Sequence, residues 1–156
     1  MNDKPRSHGR KAIRQTFKPR ELMTSTPELA GVWRAQVITL FPESFPGVLG
    51  ASLTGKALQE GLWQMETIDL RPFGETKHLN VDDTPAGGGA GMVLRADVLG
   101  KALDKAAESE RGNWPRVYLS PRGKPMEQAM GQRFAQCDGI TILCRRFEGV
   151  DGRVVE

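Results

Sequence analysis

The apolar positions of this chain fall into short runs separated by helical stripes. Arg34 to Phe41 (RAQVITLF) is a β-branched, apolar run stopped by Pro42, which predicts a buried strand. Val48 to Leu58 carries apolar residues at helical intervals, with Gly61 as terminator. Trp63 to Leu70 alternates and predicts a second strand. Leu94, Val98, Leu99, Ala102, Leu103 and Ala106 make one stripe of a helix. Arg116 to Ser120 (RVYLS) predicts a strand, and Pro125 to Phe134 a helix with Met126, Ala129, Met130 and Phe134 inward. Gly139 to Cys144 (GITILC) is the last strand. Residues 71 to 93 are polar and hold Pro85, Gly87, Gly88, Gly89 and Gly91, which predicts a long loop with a function.

Strands that alternate with helices predict the α/β class, a parallel sheet with helices on both faces and ligands at the carboxyl ends of its strands. Three segments lie just past strand ends: Phe41-Pro42-Glu43-Ser44-Phe45, Ser120-Pro121-Arg122-Gly123 and Cys144-Arg145-Arg146-Phe147-Glu148-Gly149. In such a sheet they line one rim and build one site.

Composition narrows the setting. A chain of 156 residues, 38% apolar, can bury a core without disulfides or a structural metal. Cys137 and Cys144, with two histidines, are too few for a disulfide framework or a zinc cluster, and read as buried structural thiols in a reducing cytoplasm. No apolar run approaches the roughly 20 residues of a membrane span, and no apolar core marks a signal peptide. The net charge of +3 hints at nucleic acid, but residues 1 to 32 carry +4 and residues 33 to 156 carry −1. Residues 1 to 31, rich in Ser, Thr, Pro and charge, are expected to form a basic disordered extension. A transit peptide would need the clear amphipathic helix that this stretch lacks.

Candidate chemistries differ in weight. Gly50 to Lys56 fits most of a phosphate-binding P-loop, but Ala57 stands where Ser or Thr must hold magnesium, and Leu49, Leu53 and Leu58 read as a helix face. The glycine cluster fails the dinucleotide pattern because Met92 occupies a glycine position, yet it can let backbone approach a ligand or a partner. Asp82-Asp83 suits a metal or a base, and equally a solvated loop. His78 has no partner at ligand spacing. Tyr118 and Ser120 alternate with Val117 and Leu119 as in a plain core strand. Arg145-Arg146, flanked by Phe147, Glu148 and Gly149 after a buried strand, points to a phosphate or RNA base.

Taken in order, Leu40-Phe41-Pro42-Glu43-x-Phe45, Gly55-Lys56-Ala57 with Gly61-Leu62, Val81-Asp82-Asp83-x-Pro85-x-Gly87-Gly88-Gly89-x-Gly91-Met92, Tyr118-Leu119-Ser120-Pro121 and Arg146-Phe147-Glu148-Gly149-Val150-Asp151-x-Arg153-Val154 resemble the bacterial tRNA (guanine-N1)-methyltransferases of the trefoil-knotted SPOUT class. The resemblance runs from about Val32 to the last residue. It implies a homodimeric cytoplasmic enzyme, with no membrane attachment, that moves a methyl group from S-adenosylmethionine to N1 of the guanosine 3′ of the anticodon in tRNA. Guanine N1 carries a proton, so a carboxylate must remove it while a cation steadies O6, and the base must leave its stack. By resemblance, Tyr118, Leu119, Ser120, Pro121, Arg145, Phe147 and Gly149 hold the adenosine part of the cofactor. Arg146 and Glu148 face the guanosine or its neighbours, and Asp82, Asp83 and the glycine loop lie near the RNA and the dimer interface.

The sequence also departs from the family. Arg145 replaces a glycine of the cofactor loop, Gly152 stands where an acidic or amide residue is common, and Ala86 replaces an aromatic. The resemblance places the general base, the arginine near O6, the knot crossing and a small helical RNA-binding domain beyond residue 156, so the chain corresponds to the N-terminal part and is expected to transfer no methyl alone. Family members begin with Met-Trp, here Val32-Trp33. The expected native start is therefore Val32, with residues 1 to 31 an upstream read-through. The alternative from another class is a non-catalytic RNA- or nucleotide-binding α/β module.

Overall fold

The computed structural model describes residues 31–75, 79–85, 87–144 and 146–151. The expected basic extension, His78, Ala86, Arg145 and Gly152 fall outside these residues or, for the extension, almost wholly outside. In chain order the elements are β1 (Trp33–Thr39), α1 (Ser52–Gln59), β2 (Trp63–Asp69), β3 (Asp82–Asp83), β4 (Val93–Leu94), α2 (Ala96–Ala107), β5 (Arg116–Tyr118), α3 (Gln128–Ala135) and β6 (Gly139–Leu143).

The expected parallel sheet is present, with four strands in the order β2-β1-β6-β5. Its ladders pair Trp33 with Trp63 and Ile38 with Ile68, then Ile38 with Leu143, and Tyr118 with Leu143. Paired residues of parallel strands share a face. Ile38, Ile68 and Leu143 therefore stand together, and Val98, Leu99, Ala102 and Ala106 of α2 cover them with Leu40, Leu70, Val81 and Leu94. Each fully buried Val, Leu or Ile contributes about 1.5–3 kcal/mol, so this face is the main hydrophobic store.

Trp33 and Trp63 are of the opposite parity and point the other way. There Trp33 Nε1 donates to Phe134 O at 3.1 Å and Trp63 Nε1 to Thr54 O at 3.0 Å. Helices α3 and α1 thus share the second face, and the expectation of helices on both faces holds. The arrangement follows from one handedness of crossover. The steps β1 to β2 and β5 to β6 run the same way across the sheet and place their helices on one face. The step from β2 to β5 runs the opposite way and places α2 on the other.

Several details correct the sequence reading. The helix expected over Val48 to Leu58 is split into a 3-10 turn (Gly47–Gly50) and α1, with Ser52 at φ 52° after the break. Gly55 is buried where α1 passes over the carbonyl of Gly50, and a Cβ there would collide with that backbone. Leu94 pairs in β4 instead of opening a helix. Met126 is 65% exposed because α3 starts only at Gln128, so its helical period does not reach Met126. Cys137 and Cys144 are half-buried, not core thiols, since each follows an element's end. Among the described residues no helix is long and apolar enough to cross a membrane.

Candidate functional site

At the carboxyl rim the adjacent strands β1 and β6 send the chain to opposite faces of the sheet. After β1 the chain passes to the face of α1; after β6 it passes to the face of α2, where Val150 joins the core and bridges Leu94. A reversal between adjacent strands opens a crevice in α/β sheets. One such crevice lies between β1 and β6. Residues just past the strand ends stand along the rim in sheet order: Arg71 after β2, Phe41 after β1, Arg146 after β6, and Leu119 and Ser120 after β5.

A cleft of about 440 Å³ opens beside this point, with Phe41, Arg71, Asn80, Asp82, Arg146 and Phe147 in its wall. The guanidinium carbons of Arg71 and Arg146 each stand 5.6 Å from the centroid of the Phe41 ring, within cation–π range. Asp82 reaches the cleft, whereas Asp83, one residue on in β3, points to the opposite side of the ribbon. The Asp83 carboxylate is occupied locally by the Thr84 N–H at 2.7 Å. The two acids therefore cannot share one metal ion or one substrate atom.

The far wall of the cleft is braced on α2. Arg95 donates to Asp97 through Nε at 2.9 Å and Nη2 at 2.6 Å, and Nη2 also meets Glu75 at 3.4 Å. The hydrogen bond from Arg95 holds the Asp97 carboxyl below its ordinary range. Lys101 closes the group on Glu75 at 2.9 Å. Glu75 in turn bridges Asn80, which keeps the segment carrying Asp82 in place.

The glycine loop and the segment after β6 lock together. Glu148 Oε2 accepts the Met92 N–H at 2.7 Å, and the Glu148 N–H donates to Met92 O at 3.1 Å. Leu94 N donates to Gly149 O at 3.0 Å and Asp151 N to Leu94 O at 3.1 Å. Gly91 has φ +99°, which favours glycine, and a Cβ there would displace the Glu148 carboxylate from its place beside Met92. Phe147 stands at φ 60°, a left-handed conformation costing about 1–2 kcal/mol for a side chain of this size, offset by its packing on the core.

At the other end of the rim, Leu119 N donates to Leu143 O at 3.4 Å, and Gly123 N to Ser120 O at 3.0 Å makes residues 120 to 123 a turn. Pro121 and Leu119 are exposed on it, Leu119 by 53%. Buried Gly149, at φ +153°, lies against Tyr118, whose hydroxyl is 3.4 Å from the position a Cβ would take. Burial pushes the neighbouring Cys144 thiol up from its ordinary value.

The structure thus sets Tyr118 against Gly149, with Leu119, Ser120 and Pro121 following Tyr118 on the rim, and places Arg146, Phe147 and Asp82 in the cleft. It spends Glu148 on Met92 and turns Asp83 away. Arg71 was missed by sequence reasoning. Its signal was the one that marked Arg146, a cation directly after a buried strand.

The family described as tRNA (Guanine-1)-methyltransferase TrmD matches residues 33–156. The tRNA (guanine-N(1)-)-methyltransferase of Ruegeria sp. (strain TM1040) is 72% identical over 134 residues, 86% of this chain and 55% of that protein. The protein of the same description from Ruegeria pomeroyi is 69% identical over 134 residues, 86% and 55% of the two chains. That from Bartonella tribocorum is 56% identical over 124 residues, 80% and 52%. The chain spans about half the length of the curated relatives it matches. With most of its length matched by the family and its α/β sheet carrying the family motifs on one rim, the chain belongs to the tRNA (guanine-1)-methyltransferase family.

Proposed function

We propose that this chain is the cofactor- and guanosine-holding part of a tRNA guanine-N1 methyltransferase, which uses S-adenosylmethionine to methylate N1 of the guanosine 3′ of the anticodon. The observation that carries the reading is the rim itself. The two loops assigned to the cofactor meet at Tyr118 and Gly149, and the Arg146 cleft opens beside them on the same rim.

The residues present fit an adenosine. Tyr118 to Pro121 carry no charge, Leu119 offers an exposed apolar flank, and Gly149 brings no side chain to the junction with Tyr118. When bound, the cofactor supplies an electrophilic methyl on a sulfonium, which needs oriented carbonyls and a dry wall more than a counter-charge. Phe147 and half-buried Cys144 contribute that dry wall. Arg146 supplies positive charge for the RNA side, and Asp82 an acceptor for base N–H groups.

Glu148 serves here as a brace. Its carboxylate accepts the Met92 N–H and ties the glycine loop to the cofactor loop, a different task from removing the N1 proton. The base that takes this proton and the cation at O6 belong, by the family pattern, to a further part of the enzyme. The family pattern also supports a homodimer working in the cytoplasm, and Val48, Leu53 and Leu62, 88%, 80% and 67% exposed, provide apolar surface for association.

Calorimetric titration of the 156-residue chain with S-adenosylmethionine, and then with an anticodon stem-loop RNA bearing that guanosine, tests the reading. Saturable binding of both is expected. A folded chain that binds neither overturns it.

A further inference from the structure

Arg71 enters no step described above, yet it is placed as deliberately as Arg146. It opens the 3-10 turn Arg71–Phe73 directly after β2, and its backbone N–H is fixed by Asp69 Oδ1 at 3.0 Å. Its side chain is 44% exposed, and its ion pair with Asp69 spans 3.8 Å, too long for a hydrogen bond. Among the described residues, no carboxylate lies within ion-pair distance of Arg146. Among the described residues, Asp82 is the one acidic side chain in the wall of the cleft that both arginines line.

Two guanidinium groups brought to one ring repel each other. An aromatic ring attracts cations and orients their planes but brings no counter-charge, so the N–H forks stay available for an anion. The arrangement is therefore incomplete without a negative group that both forks can reach, and planar forks match phosphate oxygens. Sheet order makes the geometry hard to avoid, since β1, which carries Phe41, runs between β2 and β6, which carry the two arginines.

We propose that Arg71 and Arg146, held on the Phe41 ring, clamp a phosphodiester of the substrate RNA, with Arg71 a backbone contact and Phe41 its positioning residue. The clamp rests on the RNA-binding reading above and adds to it which residues grip the backbone and where the strand enters, at the β2 side of the cleft.

The test is the salt dependence of binding of the anticodon stem-loop RNA to the intact chain, measured for the parent, R71Q, R71K and F41L. R71Q is expected to bind about threefold to tenfold more weakly, with a slope of log affinity against log salt shallower by about 0.7–0.9, the value of one lost phosphate contact. F41L is expected to weaken binding although no charge is removed, and R71K to lose affinity because a lysine cannot fork. S-adenosylmethionine affinity stays unchanged in all three. A merely structural role for Arg71 would lower the melting temperature and leave the slope as it was; that result overturns the clamp. If F41L does not fold, R71Q and R71K decide alone. Parent protein that binds the RNA while R71Q matches it in affinity and slope removes the clamp and spares the RNA reading. Parent protein that does not bind the RNA removes both.

Discussion

Glu148 and Met92 exchange hydrogen bonds in both directions, side chain to backbone at 2.7 Å and backbone to backbone at 3.1 Å. The pair lies 56 residues apart in sequence and joins the glycine loop to the loop after β6. Removing the carboxylate frees one edge of that junction. E148A is expected to speed amide hydrogen exchange at Met92 at least tenfold, while Leu94, bonded to Gly149 O, keeps its protection. Equal exchange at Met92 in both proteins would show that the loop is held by other means.

Gly149 tests the proposed cofactor end of the rim. Its φ of +153° is strained for any side chain, while the space beside it, 3.4 Å from the Tyr118 hydroxyl, is ordinary. G149A is therefore expected to cost about 1–3 kcal/mol in thermal stability, from backbone strain and not from a clash. The loss of S-adenosylmethionine affinity, read by calorimetry, should be on the order of tenfold or more, because a methyl group enters the backbone surface assigned to the adenosine. Unchanged affinity would move the cofactor away from this loop.

Glu110 gives the fold a dependence on pH. Its carboxylate meets Arg116 at 3.0 and 2.8 Å and the Thr141 hydroxyl at 2.9 Å, and these partners, Arg116 foremost, hold it below its ordinary range. A depressed carboxyl contributes stability above its unfolded value and loses it as pH falls through the folded one. The contribution is expected to be complete at neutral pH and to fade in acid below the usual carboxylate range. E110Q should remove about 1 kcal/mol at neutral pH, discounted because Arg116 is half-exposed, and should flatten the acid limb of a melting-temperature profile.

Cys144 should be a slow thiol. Burial raises its pKa, so little thiolate forms at neutral pH. Alkylation followed by peptide mass mapping is expected to find Cys144 largely unmodified at pH 7 and labelled as the pH climbs beyond the ordinary thiol value. Rapid labelling at neutral pH would contradict the burial described here.

Much of the fold was legible because periodicity reports burial. The run at Arg34 to Phe41 became β1, and the stripe Val98, Leu99, Ala102, Ala106 became the buried face of α2. Boundaries were less legible where a turn breaks the period, as at Ser52, or where a stripe runs past its helix, as at Met126. In the candidate site, ordered motifs marked Tyr118, Arg146 and Gly149, but the split between Asp82 and Asp83 depends on the pleat of a two-residue strand. No spacing could have revealed it.

By itself the sequence determined which segments are strands and helices, that strands and helices alternate into a parallel sheet, and which motifs sit after strand ends. Those properties are local, set by side-chain period and by Pro and Gly. The tertiary structure alone decided that β1 lies between β2 and β6, and with it that Phe41 meets both Arg71 and Arg146. It also decided that Glu148 closes on Met92. Such pairings are fixed by sheet order and by packing between distant segments, which a local pattern of hydrophobicity does not encode.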